Sequence, residues 1–183
     1  EMAKVDDDIF PTKIKNPAAQ NVRTSSASIS ETRFISAIPI DLHDLDPRYD
    51  GKALLCDTPG FGDTAGAEVD IANAISIYRA VCKCKSVKPV ILISHRGLGD
   101  RWQGLKSLAH ILVGMIPGIK ENDILRSITY LFTKFPKEKQ ATLNADLIKL
   151  RNELTEQEKS DEGFLTLFDD LKRKTRDNPF FID

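Results

Sequence analysis

The apolar positions of this chain alternate between two periods. From Arg33 to Leu42 apolar residues stand at Phe34, Ile38 and Ile40, which predicts a half-buried strand, and Pro39 within it favours a sheet edge. Asp50-Gly51 is a hairpin turn signal, and Lys52 to Cys56 (KALLC) then reads as a buried strand ending at Asp57, antiparallel to the first. Helical spacing follows. Ile71, Ile75, Tyr78 and Cys82 share one face of a predicted helix over Ala67–Cys82. Val87 to Ser94 is a continuous apolar run, as in a parallel strand covered on both faces. Leu105, Leu108, Leu112 and Met115 mark the next helix, stopped by Pro117-Gly118. Ser127 to Thr133 is another buried strand, and Leu143, Leu147, Leu150 and Leu154 stripe a third helix. A fourth, capped by Ser160, holds Phe164, Leu167, Phe168 and Leu171 inside and ends in Lys172, Arg173 and Lys174, where cations complement the helix dipole. Asn178-Pro179 precedes a last short strand, Phe180 to Ile182. Residues 1 to about 28, with Pro11, Pro17 and a serine-rich stretch from Ser25 to Ser28, read as loop or frayed helix. Strands alternating with helices imply an α/β domain with a mainly parallel sheet and one early antiparallel strand.

Composition adds limits. The 183 residues suit one domain, and 26 Lys plus Arg against 27 Asp plus Glu leave no general pull toward nucleic acid or anionic lipid. No apolar run reaches bilayer-spanning length and no signal peptide is visible, which predicts a cytoplasmic protein. The three cysteines, Cys56, Cys82 and Cys84, are too few for a disulfide framework, and Cys82-Lys83-Cys84 lacks the second cluster that zinc requires. His43, His95 and His110 are scattered through different elements and read as polar loop or helix residues.

The chemistry concentrates at Asp57-Thr58-Pro59-Gly60. A buried strand there delivers a carboxylate, followed by a sharp turn and a glycine. A carboxylate at a strand's C-terminal end can hold a water on Mg²⁺, and a glycine just beyond it leaves its backbone N–H open to a terminal phosphate. The small-residue segment Phe61 to Gly66 suits a loop that orders or loosens with that phosphate. At these residues the chain resembles P-loop GTPases of the translation-factor-related class, with the flavour of septin-like, dynamin-like and immunity-associated Toc-type members. The resemblance covers residues 29–183, with 1–28 as a loop or linker leading into the first switch. It implies a three-layer P-loop NTPase-like fold, GTP and Mg²⁺ as ligands, and GTP hydrolysis. It assigns Asp57 and Gly60 to catalysis, Asp57 and Ser30 to the metal, and Ser30, Thr32, Thr58, Thr133 and Lys134 to nucleotide contacts. Ser30 resembles the family's switch threonine by context, with Thr32 as its rival. Thr133-Lys134-Phe135-Pro136 resembles the Asn/Thr-Lys-x-Asp motif that reads guanine, but Pro136 stands where the family has Asp.

No Gly-x-x-x-x-Gly-Lys-Ser/Thr phosphate loop occurs in the sequence. The nearest approach, Gly99 to Ser107, has Leu105 between Gly104 and Lys106, which turns the lysine about 100° around a helix. The resemblance therefore implies an incomplete domain, whose first strand and phosphate loop lie upstream of Glu1. Three functions remain in play: a GTPase switch, a GTPase-like interaction module without nucleotide chemistry, and an ATP-using relative. The expected partners are a guanine nucleotide, proteins meeting the switch loop or Arg96, Arg101 and Trp102, and another copy of the chain. Nucleic acid is not expected, and membrane association stays open.

Overall fold

The computed structural model of the chain describes residues 2–5, 8–11, 17–19, 35–60, 66–116, 118–177 and 179–182. The backbone divides into two compact units, Glu1–Lys83 and Cys84–Asp183.

In the first unit, β1 (Met2–Val5) and β2 (Asp8–Pro11) form an antiparallel pair, and a 3₁₀ turn spans Pro17–Ala19. These elements lie in the stretch that reads as loop in the sequence; the strands are four residues each, too short to show a period. β3 (Ser36–Asp41) and β4 (Lys52–Asp57) make the expected antiparallel hairpin, with Ser36 opposite Asp57, Ile38 opposite Leu55 and Ile40 opposite Ala53. The connection holds one helical turn, α1 (Leu42–Leu45), capped by Asp41, whose carboxylate accepts the His43 N–H at 3.0 Å. Gly51, at φ +118°, makes the return into β4. β4 is not the buried strand that its apolar run suggests, for Leu54 and Leu55 are exposed in this two-stranded sheet.

α2 (Ala67–Cys82) has the expected bounds but the opposite orientation. Ile71, Ile75, Tyr78 and Cys82, the face read as inward, are exposed. The sheltered side carries Val69, Asn73, Ile77 and Ala80, with Asn73 buried. Both stripes obey helical spacing, so the period alone does not choose between them.

The second unit is a parallel sheet of three strands in the order β5 (Val90–Ser94), β6 (Thr129–Thr133), β7 (Phe180–Ile182). β5 starts later than its apolar run because Pro89 has no N–H to donate; its carbonyl accepts from Thr129 N at 2.9 Å. Helical crossovers connect the strands, as parallel pairing demands: α3 (Gln103–Met115) and α4 (Asn122–Ser127) before β6, then α5 (Lys137–Asn152), α6 (Glu156–Ser160) and α7 (Glu162–Asp177) before β7.

Alternation sends Ile91, Ile93, Tyr130, Phe132 and Phe181 into one core with Leu105, Ala109 and Leu112 of α3, Leu143, Leu147 and Leu150 of α5, and Phe164, Leu167, Phe168 and Leu171 of α7. On the opposite face, Val90, Leu92, Phe180 and Ile182 are exposed. By itself this unit is therefore a sheet with helices on one face, and the full three-layer arrangement is an expectation from the resemblance. The α/β class, an antiparallel hairpin in the first unit and a parallel sheet in the second are as the sequence implies.

One cap differs from the reading. Ser160 does not start the fourth helix: its Oγ donates to the Gln157 carbonyl at 2.7 Å, closing α6. Asp161 takes the capping role, accepting the Phe164 N–H at 3.0 Å. α6 itself opens on a capping box, in which Thr155 Oγ1 accepts the Glu158 N–H at 3.2 Å and the Glu158 carboxylate accepts the Thr155 N–H at 2.7 Å.

Candidate functional site

In open parallel sheets ligands meet the loops beyond the carboxyl ends of the strands. The second unit concentrates its backbone strain there. Among the described residues three non-glycine residues have positive φ: Arg101 (51°), Trp102 (61°) and Lys134 (56°). Lys134 directly follows β6, and Arg101 and Trp102 lie in the segment between β5 and α3. A left-handed conformation costs an L-residue about 1–2 kcal/mol, and such strain gathers at functional loops.

The segment Thr133 to Pro136 is held at each residue. Thr133 ends β6, opposite Ser94 and Ile182. The Lys134 N–H donates to the Ile182 carbonyl at 3.3 Å, while its side chain is exposed. Phe135 is buried, edge-on to Phe132 with ring centres 5.5 Å apart and to His95 at 5.1 Å, and its carbonyl accepts from Gln140 Nε2 at 2.9 Å. Pro136 is the N-cap of α5, and its carbonyl accepts the N–H groups of Lys139 and Gln140 at 2.9 and 3.0 Å. Glu138 stands in the first turn of that helix, as the sequence suggests. The bend at Lys134 thus turns the chain off the strand and aims a cation outward, and the buried Phe135 fixes the bend.

The described contacts of the loop from Gly99 to Ser107 are packing and ion-pair contacts. A Cβ on Gly104 would lie 1.9 Å from the Gly97 carbonyl oxygen, so this glycine lets the turn after β5 rest on the first turn of α3. Lys106 does not point toward a nest of amides; its Nζ pairs with Glu158 at 2.9 Å, with both side chains mostly buried. Burial opposes the Glu158 charge, but the Thr155 N–H and the Lys106 ammonium outweigh it and hold this carboxyl below its ordinary range.

In the first unit, Asp57 is the last residue of β4 and is exposed, as are Thr58 and Gly60. Pro59 between them is fully buried and anchors the turn. A Cβ on Gly60 would meet nothing within 4 Å, so packing among the described residues does not demand the glycine. Ser30, Thr32 and residues 61–65 of the switch loop lie outside the described residues. Asp57, Thr58 and Gly60 belong to the first unit, Thr133 and Lys134 to the second.

Among the described residues no three His, Cys, Asp or Glu side chains gather as a metal site. Asp57 as a single described carboxylate fits Mg²⁺ in one way: this ion is commonly bound through one or two carboxylates, with waters and substrate phosphates as its other ligands. Cys56, Cys82 and Cys84 are exposed thiols. His43 lies 3.6 Å from Asp50, and His110 stacks on Phe164 with ring centres 4.4 Å apart. Among the described residues no helix is long and apolar enough to cross a membrane.

Sequence reasoning missed the left-handed residues, which carry no compositional mark. It also missed the Thr155–Glu158 box, although Thr-x-x-Glu is a recognised pattern. Comparisons with protein-family models, curated proteins and solved structures found no match for this chain.

Proposed function

We propose that this chain carries the switch and base-reading elements of a guanine-nucleotide-binding domain of the P-loop GTPase type, whose intact parent hydrolyses GTP. The observation that carries the reading is the strained, outward-aimed Lys134 at the carboxyl end of β6, held between Thr133 and the buried Phe135. A lysine there can lay its aliphatic stem on a purine plane. Asp57, at the end of β4 and ahead of a buried proline and an open glycine, is the group to hold a Mg²⁺-bound water. The ion, when bound, would neutralise developing charge on the transferred phosphoryl group. The reading requires a Gly-x-x-x-x-Gly-Lys-Ser/Thr loop encoded ahead of Glu1, because the 183 residues contain none.

One observation favours a second reading, an interaction module without nucleotide chemistry. Pro136 stands where the guanine-reading Asp would be, and it serves as the cap of α5. Two hydrogen bonds to guanine are thereby absent, worth about 1.5–3 kcal/mol each when charge-assisted. Competition binding of GTP and ATP, with Mg²⁺, to the parent polypeptide separates the readings. The first expects nucleotide binding that Asp57→Ala weakens only when Mg²⁺ is present, with a GTP preference under about tenfold that Pro136→Asp sharpens. Absence of nucleotide binding by the parent would establish the second, and a clear preference for ATP would replace GTP as the ligand.

A further inference from the structure

α2 exposes a row of apolar side chains. Ile71, Ile75 and Tyr78 are 60%, 47% and 52% exposed, and the exposed Cys82 completes the row. The intervals are four, three and four residues, which on an α-helix gather all four side chains within about 60° of arc. A helix that lies on the core of its own domain carries an apolar stripe of about 100° or more, whereas a narrow row at heptad spacing is the seam of a helix pair. The sheltered side of α2, with buried Asn73, lies on the far side of the helix from this row.

The row also indicates what covers it. Among the described residues no other helix exposes more than one large apolar side chain: Leu45 on α1 and Ile148 on α5 stand alone. A matching seam is therefore found on a second copy of α2. The charges at its ends set the direction. Glu68 and Asp70 stand in the first turn, Arg79 in the last, and Lys83 is the C-cap. Glu68, Arg79 and Lys83 are exposed. Two copies running in the same direction would set Glu68 against Glu68 and align their dipoles. Running in opposite directions, they bring Ile75 beside Tyr78 and Ile71 beside Cys82, each twice. Glu68 of each copy then falls within one turn of Lys83 of the other, on the same flank of the seam. Ala72 and Ala74 beside the seam are small enough to let the two helices approach.

We infer that α2 pairs antiparallel with α2 of a second copy of this chain, through Ile71, Ile75, Tyr78 and Cys82. Sixteen residues give a seam about 24 Å long, at the small end of protein interfaces, so the dimer is weak and depends on concentration. The pairing requires no nucleotide and does not rest on the proposed function.

The test is sedimentation equilibrium of the 183-residue chain under reducing conditions without nucleotide. The expected result is a reversible monomer–dimer equilibrium with Kd on the order of 10–100 µM. Ile75→Asp, which places a carboxylate in two of the four layers, should weaken it at least about 100-fold. Glu68→Lys and Lys83→Glu, both at exposed positions, are read alongside, so the outcome does not hang on the folding of one variant. Each should weaken the dimer about fivefold, and the two together should restore it. Mild oxidation then reads the direction in a Cys56→Ser, Cys84→Ser background. Adding Ile71→Cys should give a disulfide-linked dimer through Cys82 of the other copy. Positions 71 and 82 of one helix are about 16 Å apart, too far for an internal bridge. A chain that stays monomeric through about 1 mM would overturn the inference. So would a dimer indifferent to Ile75→Asp and to both charge variants, or a background protein that cross-links through Cys82 alone as readily as with Ile71→Cys.

Discussion

Replacing Asp170 by alanine tests the account of the second unit's core. Asp170 is 5% exposed, on the inner side of α7. Its carboxylate accepts the Tyr130 hydroxyl at 3.1 Å and pairs with Lys174 Nζ at 2.9 Å and with Arg173. Lys174 Nζ also donates to the carbonyls of Leu125 and Ile128, each at 2.6 Å, and lies 5.2 Å from the centre of the Tyr130 ring. One carboxylate therefore ties α7 to β6 and, through Lys174, to the end of α4. Its removal strands a phenol inside the core and a mostly buried ammonium without its counter-charge. Breaking a buried pair from one side costs about 3–5 kcal/mol, a large part of the roughly 5–15 kcal/mol that holds a domain folded. Tyr130→Phe removes only the hydroxyl and leaves Asp170 its two cations, so its expected cost is about 1 kcal/mol. In the Asp170→Ala background the same change should cost nothing, because the orphaned hydroxyl has gone. A double-mutant cycle should then show coupling of about 1 kcal/mol. Urea unfolding followed by the fluorescence of Trp102, the single tryptophan, reports on this unit, since Trp102 packs against its core. A loss under about 1 kcal/mol for Asp170→Ala, or additive single variants, would refute the network as described.

Two further outcomes follow from the same packing. Glu158 is held below its ordinary pKa of 4.5 when folded, so its contribution is present above that value and disappears as pH falls through the lower folded value. Glu158→Gln should cost about 1–2 kcal/mol at neutral pH and flatten the acid limb of the stability curve; an unchanged limb on pH-dependent urea unfolding would count against the Lys106 and Thr155 contacts. Gly104→Ala should destabilise by about 2 kcal/mol through the clash with the Gly97 carbonyl, whereas Gly114→Ala, with open space around it, should stabilise α3 by about 0.5–1 kcal/mol, both read as thermal midpoints.

Much of this protein is legible in its residue order. Unbroken apolar runs placed β5 and β6, and the leucine stripes placed α3 and α5, because period and length are local properties that a buried surface imposes on the chain. Asp50-Gly51 announced the hairpin, since a turn's backbone depends on the residues within it. The position of Asp57 at a strand end was legible for the same reason, and so was the mismatch of Lys106 with a phosphate loop. What only the tertiary structure decided are matters of partnership. α2 carries two stripes of equal period, and burial of Asn73 rather than Ile75 depends on what lies beside the helix. Lys134 is left-handed because Phe135 is locked in a core assembled from β6, β7 and the turn after β5. Lys106 meets Glu158 across 52 positions and Tyr130 meets Asp170 across 40, separations at which no local spacing signals a contact.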